Sequence, residues 1–169
     1  MNKHLVCITA APQDHDEIQG HVEATDIGAT IHRFTDRQFA GFLAKTTELA
    51  QSPDNRIVVL TGQALTDNDG AKFTGEDVIR QVYDIDHAIH SIVLTRNTPP
   101  SGDFLAEHNA RAVHKEGGHS PTAAQRTLAE ETVRDVLSEI RAAFSEDIGA
   151  QAHQRLLGVP ESDAPAVRS

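Results

Sequence analysis

Arg56-Ile57-Val58-Val59-Leu60-Thr61 is an unbroken run of mainly apolar, β-branched residues. Turn-forming residues bound it on both sides, Ser52-Pro53-Asp54-Asn55 before it and Gly62 after it. Apolar runs of this length that do not alternate with polar residues are typical of strands buried on both faces of a parallel sheet. Residues 56–61 are therefore predicted to form a central strand with helices packed on either side.

Four further segments with strand character flank this run, and helical segments separate them. The strand candidates are residues 4–10, 29–34, 89–95 and 110–115, and the helical candidates are residues 13–27, 37–51, 78–85, 104–108 and 120–144. Strands joined by helical crossovers run parallel. The sequence therefore predicts an α/β protein with three α/β/α layers, a five-stranded parallel sheet of flavodoxin-like topology and an extended C-terminal helix. Residues 62–75 are predicted to be a long polar loop.

The C-terminal helix is predicted to begin at Ser120, a good N-cap residue, with Pro121 at the first helical position. Its apolar face comprises Leu128, Val133, Leu137, Ile140 and Phe144. This stripe either packs on the sheet, which is the simpler interpretation, or pairs with a second copy in a homodimer. The domain is predicted to span residues 1–146, followed by a short helical extension and a disordered tail over residues 147–169.

Composition restricts the classes of partner. The formal charge of −10 repels nucleic acid backbones and anionic lipid surfaces, so neither is expected to bind directly. The lone Cys7 excludes an internal disulfide and a cysteine-based zinc site. No signal-peptide pattern and no apolar run of membrane-spanning length is present, so a soluble, cytoplasmic protein is expected.

Binding sites of open parallel sheets lie beyond the carboxyl ends of the strands. The residues at the carboxyl ends of the first, third, fourth and fifth predicted strands are Thr9 and Ala10, Thr61 and Gly62, Thr95, and Lys115. These six residues are predicted to line one polar crevice.

Three stretches resemble response-regulator receiver (CheY-like) domains, and the resemblance extends over residues 3–145. They are Val58-Val59-Leu60 through Asp69-Gly70, Ile92-Val93-Leu94-Thr95, and Ala110-Arg111-Ala112-Val113-His114-Lys115. In that family a carboxylate at the end of the third strand accepts a phosphoryl group, and acids after the first strand hold Mg²⁺. A hydroxyl and a lysine then contact the phosphoryl oxygens.

This sequence matches only the hydroxyl and the lysine of that pattern. These are Thr95 and Lys115, whereas the acceptor position falls on Thr61 or Gly62 and the metal-binding pair on Thr9 and Ala10. Mg²⁺ needs carboxylate oxygens, and a threonine hydroxyl is a poor phosphoryl acceptor unless a base or a metal activates it. The resemblance therefore implies a degenerate receiver without catalytic residues and without Mg²⁺.

Four acids close to the crevice could in principle restore a metal site: Asp14, Asp16, Asp67 and Asp69. The favoured interpretation is that they are solvated acids at a helix N-terminus or in a loop. Without phosphate, Lys115 is expected to pair with a nearby acid such as Asp67 or Asp69, or to bind an anion.

Two functions follow from these residues. The first is an atypical receiver-like signalling or regulatory module that acts by protein–protein interaction, without conventional aspartate phosphorylation and without enzymatic activity. The alternative is a small α/β enzyme or ligand-binding protein that uses the polar crevice.

Overall fold

A five-stranded parallel sheet forms the centre of the computed structural model, which describes residues 1–96, 98–116 and 128–145. The strands along the chain are β1 (Asn2–Thr9), β2 (Ala29–Thr35), β3 (Asn55–Gly62), β4 (Ala64–Thr66), β5 (Lys72–Thr74), β6 (His90–Thr95) and β7 (Ala110–His114). The parallel sheet has the order β2-β1-β3-β6-β7, while β4 and β5 form a separate antiparallel hairpin. The predicted flavodoxin-like sheet is confirmed.

Helices cover both faces of this sheet. They are α1 (Pro12–Glu23), α2 (Phe39–Ala50), α3 (Gly75–Ile85), α4 (Gly102–Glu107) and α5 (Glu130–Ala143), and a short 3-10 turn, Asp36–Gln38, precedes α2. Helices α1 and α5 share one core cluster, whereas α2 and α3 share the other.

Strand β3 explains why the central run is apolar throughout. Val58 and Leu60 pack into the core beneath α1 and α5. Ile57 and Val59 pack into the core beneath α2 and α3. Because successive residues of a strand point to opposite faces, covering both faces requires apolar residues without alternation.

The hairpin of β4 and β5 lies where the sequence predicted a loop. Leu65 is buried and packs into the core beneath α2 and α3. The Asp67 carboxylate closes the turn by accepting hydrogen bonds from the amides of Asp69 and Ala71, each at 2.9 Å. Two strands of three residues are too short to produce an alternation that sequence reasoning can detect.

The predicted start of the last helix at Ser120 and Pro121 is wrong. Helix α5 begins at Glu130, and Ala129 before it is extended, with φ −61° and ψ 144°. Leu128 therefore precedes the helix. Ser120 and Pro121, like the predicted extension over residues 147–169, lie outside the described residues.

The apolar stripe of α5 packs on the sheet. Val133, Ile140 and Phe144 are buried in the core, together with Val136, and Leu137 packs partly buried against them. The core-facing interpretation accounts for this stripe, because pairing with a second helix through the same residues would remove them from the sheet.

Candidate functional site

Three threonines lie at the carboxyl edge of the sheet. Thr9 ends β1, Thr61 lies near the end of β3, and Thr95 ends β6. The parallel register pairs Ile8 with Thr61, so Thr9 extends one residue beyond it. All three threonines are buried. The neighbouring Gly62 has no side chain, and a Cβ at this position would be in ordinary van der Waals contact with Thr9 Oγ1, at 3.6 Å.

Two of these hydroxyls are engaged with the backbone. Thr9 Oγ1 accepts a hydrogen bond of 2.9 Å from the amide of Ala11. Thr61 Oγ1 donates to the carbonyl oxygen of Gly62, also at 2.9 Å. Ala10, at the second position of the family's metal-binding pair, is exposed and contributes no side-chain oxygen. Thr61 is one of the two residues on which the family's phosphoryl-acceptor position falls. Its hydroxyl is buried and hydrogen-bonds to a backbone carbonyl.

Lys115 forms an ion pair with Asp14 across the crevice. Lys115 Nζ contacts Asp14 Oδ2, and the two side chains are 14% and 2% exposed. The backbone of Lys115 is held at the edge of the sheet, because its amide donates to the carbonyl oxygen of Thr95 at 2.8 Å. The structure thus brings together the lysine and one of the four predicted acids.

The first turn of α1 positions Asp14. Helix α1 follows β1 directly, with Pro12 at its start, and the amide of Asp14 donates to the carbonyl oxygen of Ala11 at 3.0 Å. A carboxylate in this turn is stabilised by the positive end of the helix dipole. The interpretation of Asp14 as a solvated acid is wrong, because the ammonium of Lys115 compensates its charge in the interior.

The other three acids serve different parts of the fold. Asp16 is 63% exposed and pairs with Arg33 of β2. Asp67 closes the hairpin turn, and Asp69 is exposed beside it. The prediction that Lys115 pairs with Asp67 or Asp69 is therefore wrong.

The oxygen donors of the crevice do not fit Mg²⁺. They comprise threonine hydroxyls and one carboxylate, and a lysine ammonium already neutralises that carboxylate. Mg²⁺ is bound through carboxylates that remain free to face the metal. Within residues 1–96, 98–116 and 128–145, no cluster of three or more histidine, cysteine, aspartate or glutamate side chains is arranged to hold a metal ion.

His15 is a residue of this region that sequence reasoning missed. It is 2% exposed, and neither ring nitrogen has a hydrogen-bond partner among the described residues. Burial, aided by the positive charges of Arg33 and Lys115, lowers the pKa of His15 to about 3. The sequence does contain a signal for the burial of His15. This residue lies three and seven positions before the apolar Ile18 and Val22, on the buried stripe of α1.

The order β2-β1-β3-β6-β7, with helices on both faces, is the CheY-like receiver fold. Among solved structures, the chain is similar to a CheY-like response regulator receiver domain protein from Methanospirillum hungatei JF-1. The sequence identity is 15%, the TM-score is 0.56, and the match covers 91% of this chain and 99% of that chain.

A second similar structure is a putative pilus assembly-related protein from Burkholderia pseudomallei K96243. It has 12% identity and a TM-score of 0.47, and the match covers 86% of this chain and 92% of that chain. Comparisons with protein-family models and with curated proteins found no match. None of the described helices combines the length and the apolarity that crossing a membrane requires.

Proposed function

We propose that this chain is a receiver-like signalling or regulatory module that binds a protein partner and does so without conventional aspartate phosphorylation. One observation carries the proposal. The crevice lysine, Lys115, is neutralised from within the chain by Asp14, while the acceptor position holds the buried Thr61.

The chemistry of phosphoryl transfer supports this proposal. Transfer needs a nucleophile that faces the donor, a metal that neutralises the phosphoryl oxygens, and a cation that stabilises the charge in the transition state. Thr61 Oγ1 donates to a backbone carbonyl, and a threonine hydroxyl needs a base or a metal to activate it as a phosphoryl acceptor. The ammonium of Lys115 is already paired, so an incoming phosphoryl group would have to displace Asp14.

The conformational output of receivers gives a second reason. The resemblance implies an aromatic switch residue three positions before the lysine, and this chain has Ala112 there. Ala112 packs partly buried against the core cluster of Ile79 and Val93. A methyl group cannot alternate between a buried and an exposed orientation as an aromatic ring can, so we expect a constitutive surface rather than a switched one.

We place the partner site on the face of α3 and α4. Tyr83 stacks on His87 with ring centroids 4.0 Å apart, and Phe104 stacks on His108 at 4.2 Å. The guanidinium of Arg80 lies 5.0 Å from the Phe104 ring centre. Tyrosine and arginine are enriched among the residues that dominate binding energy at protein interfaces. Val113 and Phe144 are buried and are therefore not available for contacts with a partner.

Charge indicates the kind of protein partner. The net charge of −10 favours association with a basic surface, because complementary potentials accelerate encounter and disfavour wrong partners. We further propose a cytoplasmic location, where the buried thiol of Cys7, with its pKa raised by burial to about 12, stays reduced and unreactive.

The proposal is tested first with Mg²⁺ and beryllofluoride, a non-reactive phosphoryl analogue, added to the isotopically labelled chain. We expect the amide resonances of Thr61, Gly62 and Lys115 to remain unchanged in NMR spectra. A saturable shift of these resonances would show a working phosphoryl site and would overturn the proposal.

The partner site is tested with two arginines of equal exposure. A partner isolated from the native cell is purified, and its dissociation constant is measured for the wild-type chain and two variants. Arg80→Ala, 54% exposed on α3, is expected to weaken binding at least tenfold. Arg141→Ala, 55% exposed on α5, is expected to leave it within twofold. Equal effects of both variants on the dissociation constant would rule out the face of α3 and α4 as the partner site.

A further inference from the structure

Two histidines form a hydrogen-bonded pair at the amino end of the sheet, opposite the crevice. His4 on β1 and His32 on β2 approach with Nδ1 of His4 2.9 Å from Nε2 of His32. Their rings are inclined by 25°, with centroids 5.2 Å apart. The other nitrogen of His4, Nε2, lies 3.2 Å from Asn55 Oδ1 on β3. The three side chains thus link three adjacent strands, and both rings are only partly buried.

Asn55 determines where the protons of this pair lie. Its amide nitrogen donates to the carbonyl oxygen of Leu49 at 2.9 Å, so its oxygen is the atom that faces His4. An amide oxygen only accepts hydrogen bonds, so Nε2 of His4 carries a proton. In the neutral ring Nδ1 of His4 is then an acceptor, and Nε2 of His32 donates to it.

We infer that His4 and His32 together are a single-proton site that fastens the edge strand β2 to β1 and releases it in acid. One added proton is accommodated. It binds at Nδ1 of His32, the proton on Nε2 of His32 shifts to Nδ1 of His4, and the hydrogen bond persists with its direction reversed. A second proton places an N–H on each of the two facing nitrogens, so the hydrogen bond is lost and two cations adjoin.

The groups around the pair support this behaviour. Burial, together with His4 and Lys45, lowers the pKa of His32, and Glu48 opposes the shift. Lys45 and Glu48 belong to α2, the helix packed over this part of the sheet, and pair with each other at 3.0 Å. Their opposite charges leave no surplus of negative charge to hold two imidazolium rings together.

Loss of the hydrogen bond between His4 and His32 affects how firmly strand β2 is attached to the sheet. It lies at the edge of the sheet and pairs only with β1 among the described strands. His32 lies at its fourth residue and pairs in register with Val6, while His4 pairs with Thr30. Loss of the His4 to His32 bond therefore removes a side-chain link between the strands without breaking the backbone ladder, and we expect β2 to loosen rather than unfold.

The test is an NMR titration of the imidazole nitrogens in the intact chain from about pH 8 to about pH 5. At the upper end we expect both His4 and His32 as the Nε2–H tautomer. On acidification, the pair takes up its first proton in one step and its second only at lower pH. The amide resonances of β2 shift with the second step. His32→Ala replaces the two steps by a single one at His4.

A matched control is the exposed His21 on α1, because His21→Ala should leave both steps unchanged. An Nδ1–H tautomer of His4 in the wild-type chain would overturn the inference without any variant. Identical titration curves of His4 in the wild-type chain and in His32→Ala would also overturn it. A stoichiometric shift of the imidazole nitrogen resonances of both histidines on addition of Zn²⁺ at neutral pH would show a metal site instead.

Discussion

At the scale of single residues, the ion pair of Asp14 and Lys115 is the contact on which the proposed lack of aspartate phosphorylation rests. Both charges are withdrawn from solvent, with side-chain exposures of 2% and 14%. Withdrawing either charge alone is costly, so each residue depends on the other. The pair joins α1 to the segment after β7, two parts of the fold that are distant in sequence.

Asp14→Asn is predicted to lower the free energy of unfolding by about 3 kcal/mol, because it leaves the ammonium of Lys115 uncompensated. Urea denaturation measures this loss. Asp16→Asn is the matched control, since its ion pair with Arg33 is exposed and should contribute less than about 1 kcal/mol. In the Asp14→Asn background, Lys115→Met should cost much less than in the wild-type chain. Additive losses would mean that the two charges do not interact.

This contact could not be predicted from the sequence. Thr95 and Lys115 could be assigned to the crevice, because Thr95 ends one recognisable strand and Lys115 directly follows another. The partner of Lys115 depends on how α1 leaves β1, and a shift of one residue in that helix would turn the carboxylate of Asp14 towards solvent. Local patterns do not determine such a contact between residues distant in the chain.

At the scale of elements, the close approach of the start of α3 to the sheet leaves no room for a side chain at Gly75. Gly75 opens α3, and its amide donates to the carbonyl oxygen of Gln63 at 3.0 Å. A Cβ at Gly75 would lie 2.6 Å from Gln63 Oε1, 2.7 Å from Val93 Cγ2 and 2.8 Å from the carbonyl oxygen of Gly62. Two of these contacts are with the sheet, namely the fully buried side chain of Val93 in β6 and the backbone of Gly62 at the end of β3, and both have little room to move.

Gly75→Ala is therefore predicted to lower the free energy of unfolding by about 1–3 kcal/mol through overpacking. Gly20, inside α1, is the control, because a Cβ there would meet nothing within 4 Å. Gly20→Ala should stabilise the chain by about 0.5–1 kcal/mol, since alanine loses less conformational entropy in a helix. Thermal denaturation of both variants measures the difference. Stabilisation by Gly75→Ala would contradict the described packing.

Strands and helices could be predicted from the sequence where a local pattern of apolar residues and breakers marks them. The five sheet strands are apolar runs between breakers, and all five were located from the sequence. The hairpin of β4 and β5 was missed because its stability rests on Leu65 packing and on Asp36, whose carboxylate accepts from the amide of Thr66 at 2.8 Å. The start of α5 was misplaced because Ser120 and Pro121 form a sound capping pattern that α5 does not use.

At the scale of the whole molecule, three histidines that are buried or partly buried make the fold sensitive to acid. Burial lowers the pKa of His15 to about 3 and also lowers the pKa values of His32 and His90. The unfolded chain binds protons at these side chains below about pH 6.5, whereas the folded chain resists protonation. Stability from these residues is therefore complete above about pH 6.5 and declines as the pH falls.

We predict that His15 alone accounts for about 2 kcal/mol of the stability lost between about pH 6.5 and pH 5. Urea denaturation across this range measures the slope of the free energy of unfolding against pH. His15→Met should reduce the slope by about one proton, leaving the contributions of His32 and His90. His21→Gln, at an exposed position, should not change it. An unchanged slope in His15→Met would mean that His15 is accessible to protons in the folded chain.

Whether the described crevice contains a phosphoryl acceptor is tested by incubating the wild-type protein with acetyl phosphate and Mg²⁺ and determining its intact mass. We predict an unmodified mass, because Thr61 is buried against a carbonyl and Asp14 is paired with Lys115. A stable, stoichiometric phosphoryl adduct on an aspartyl side chain would contradict the account.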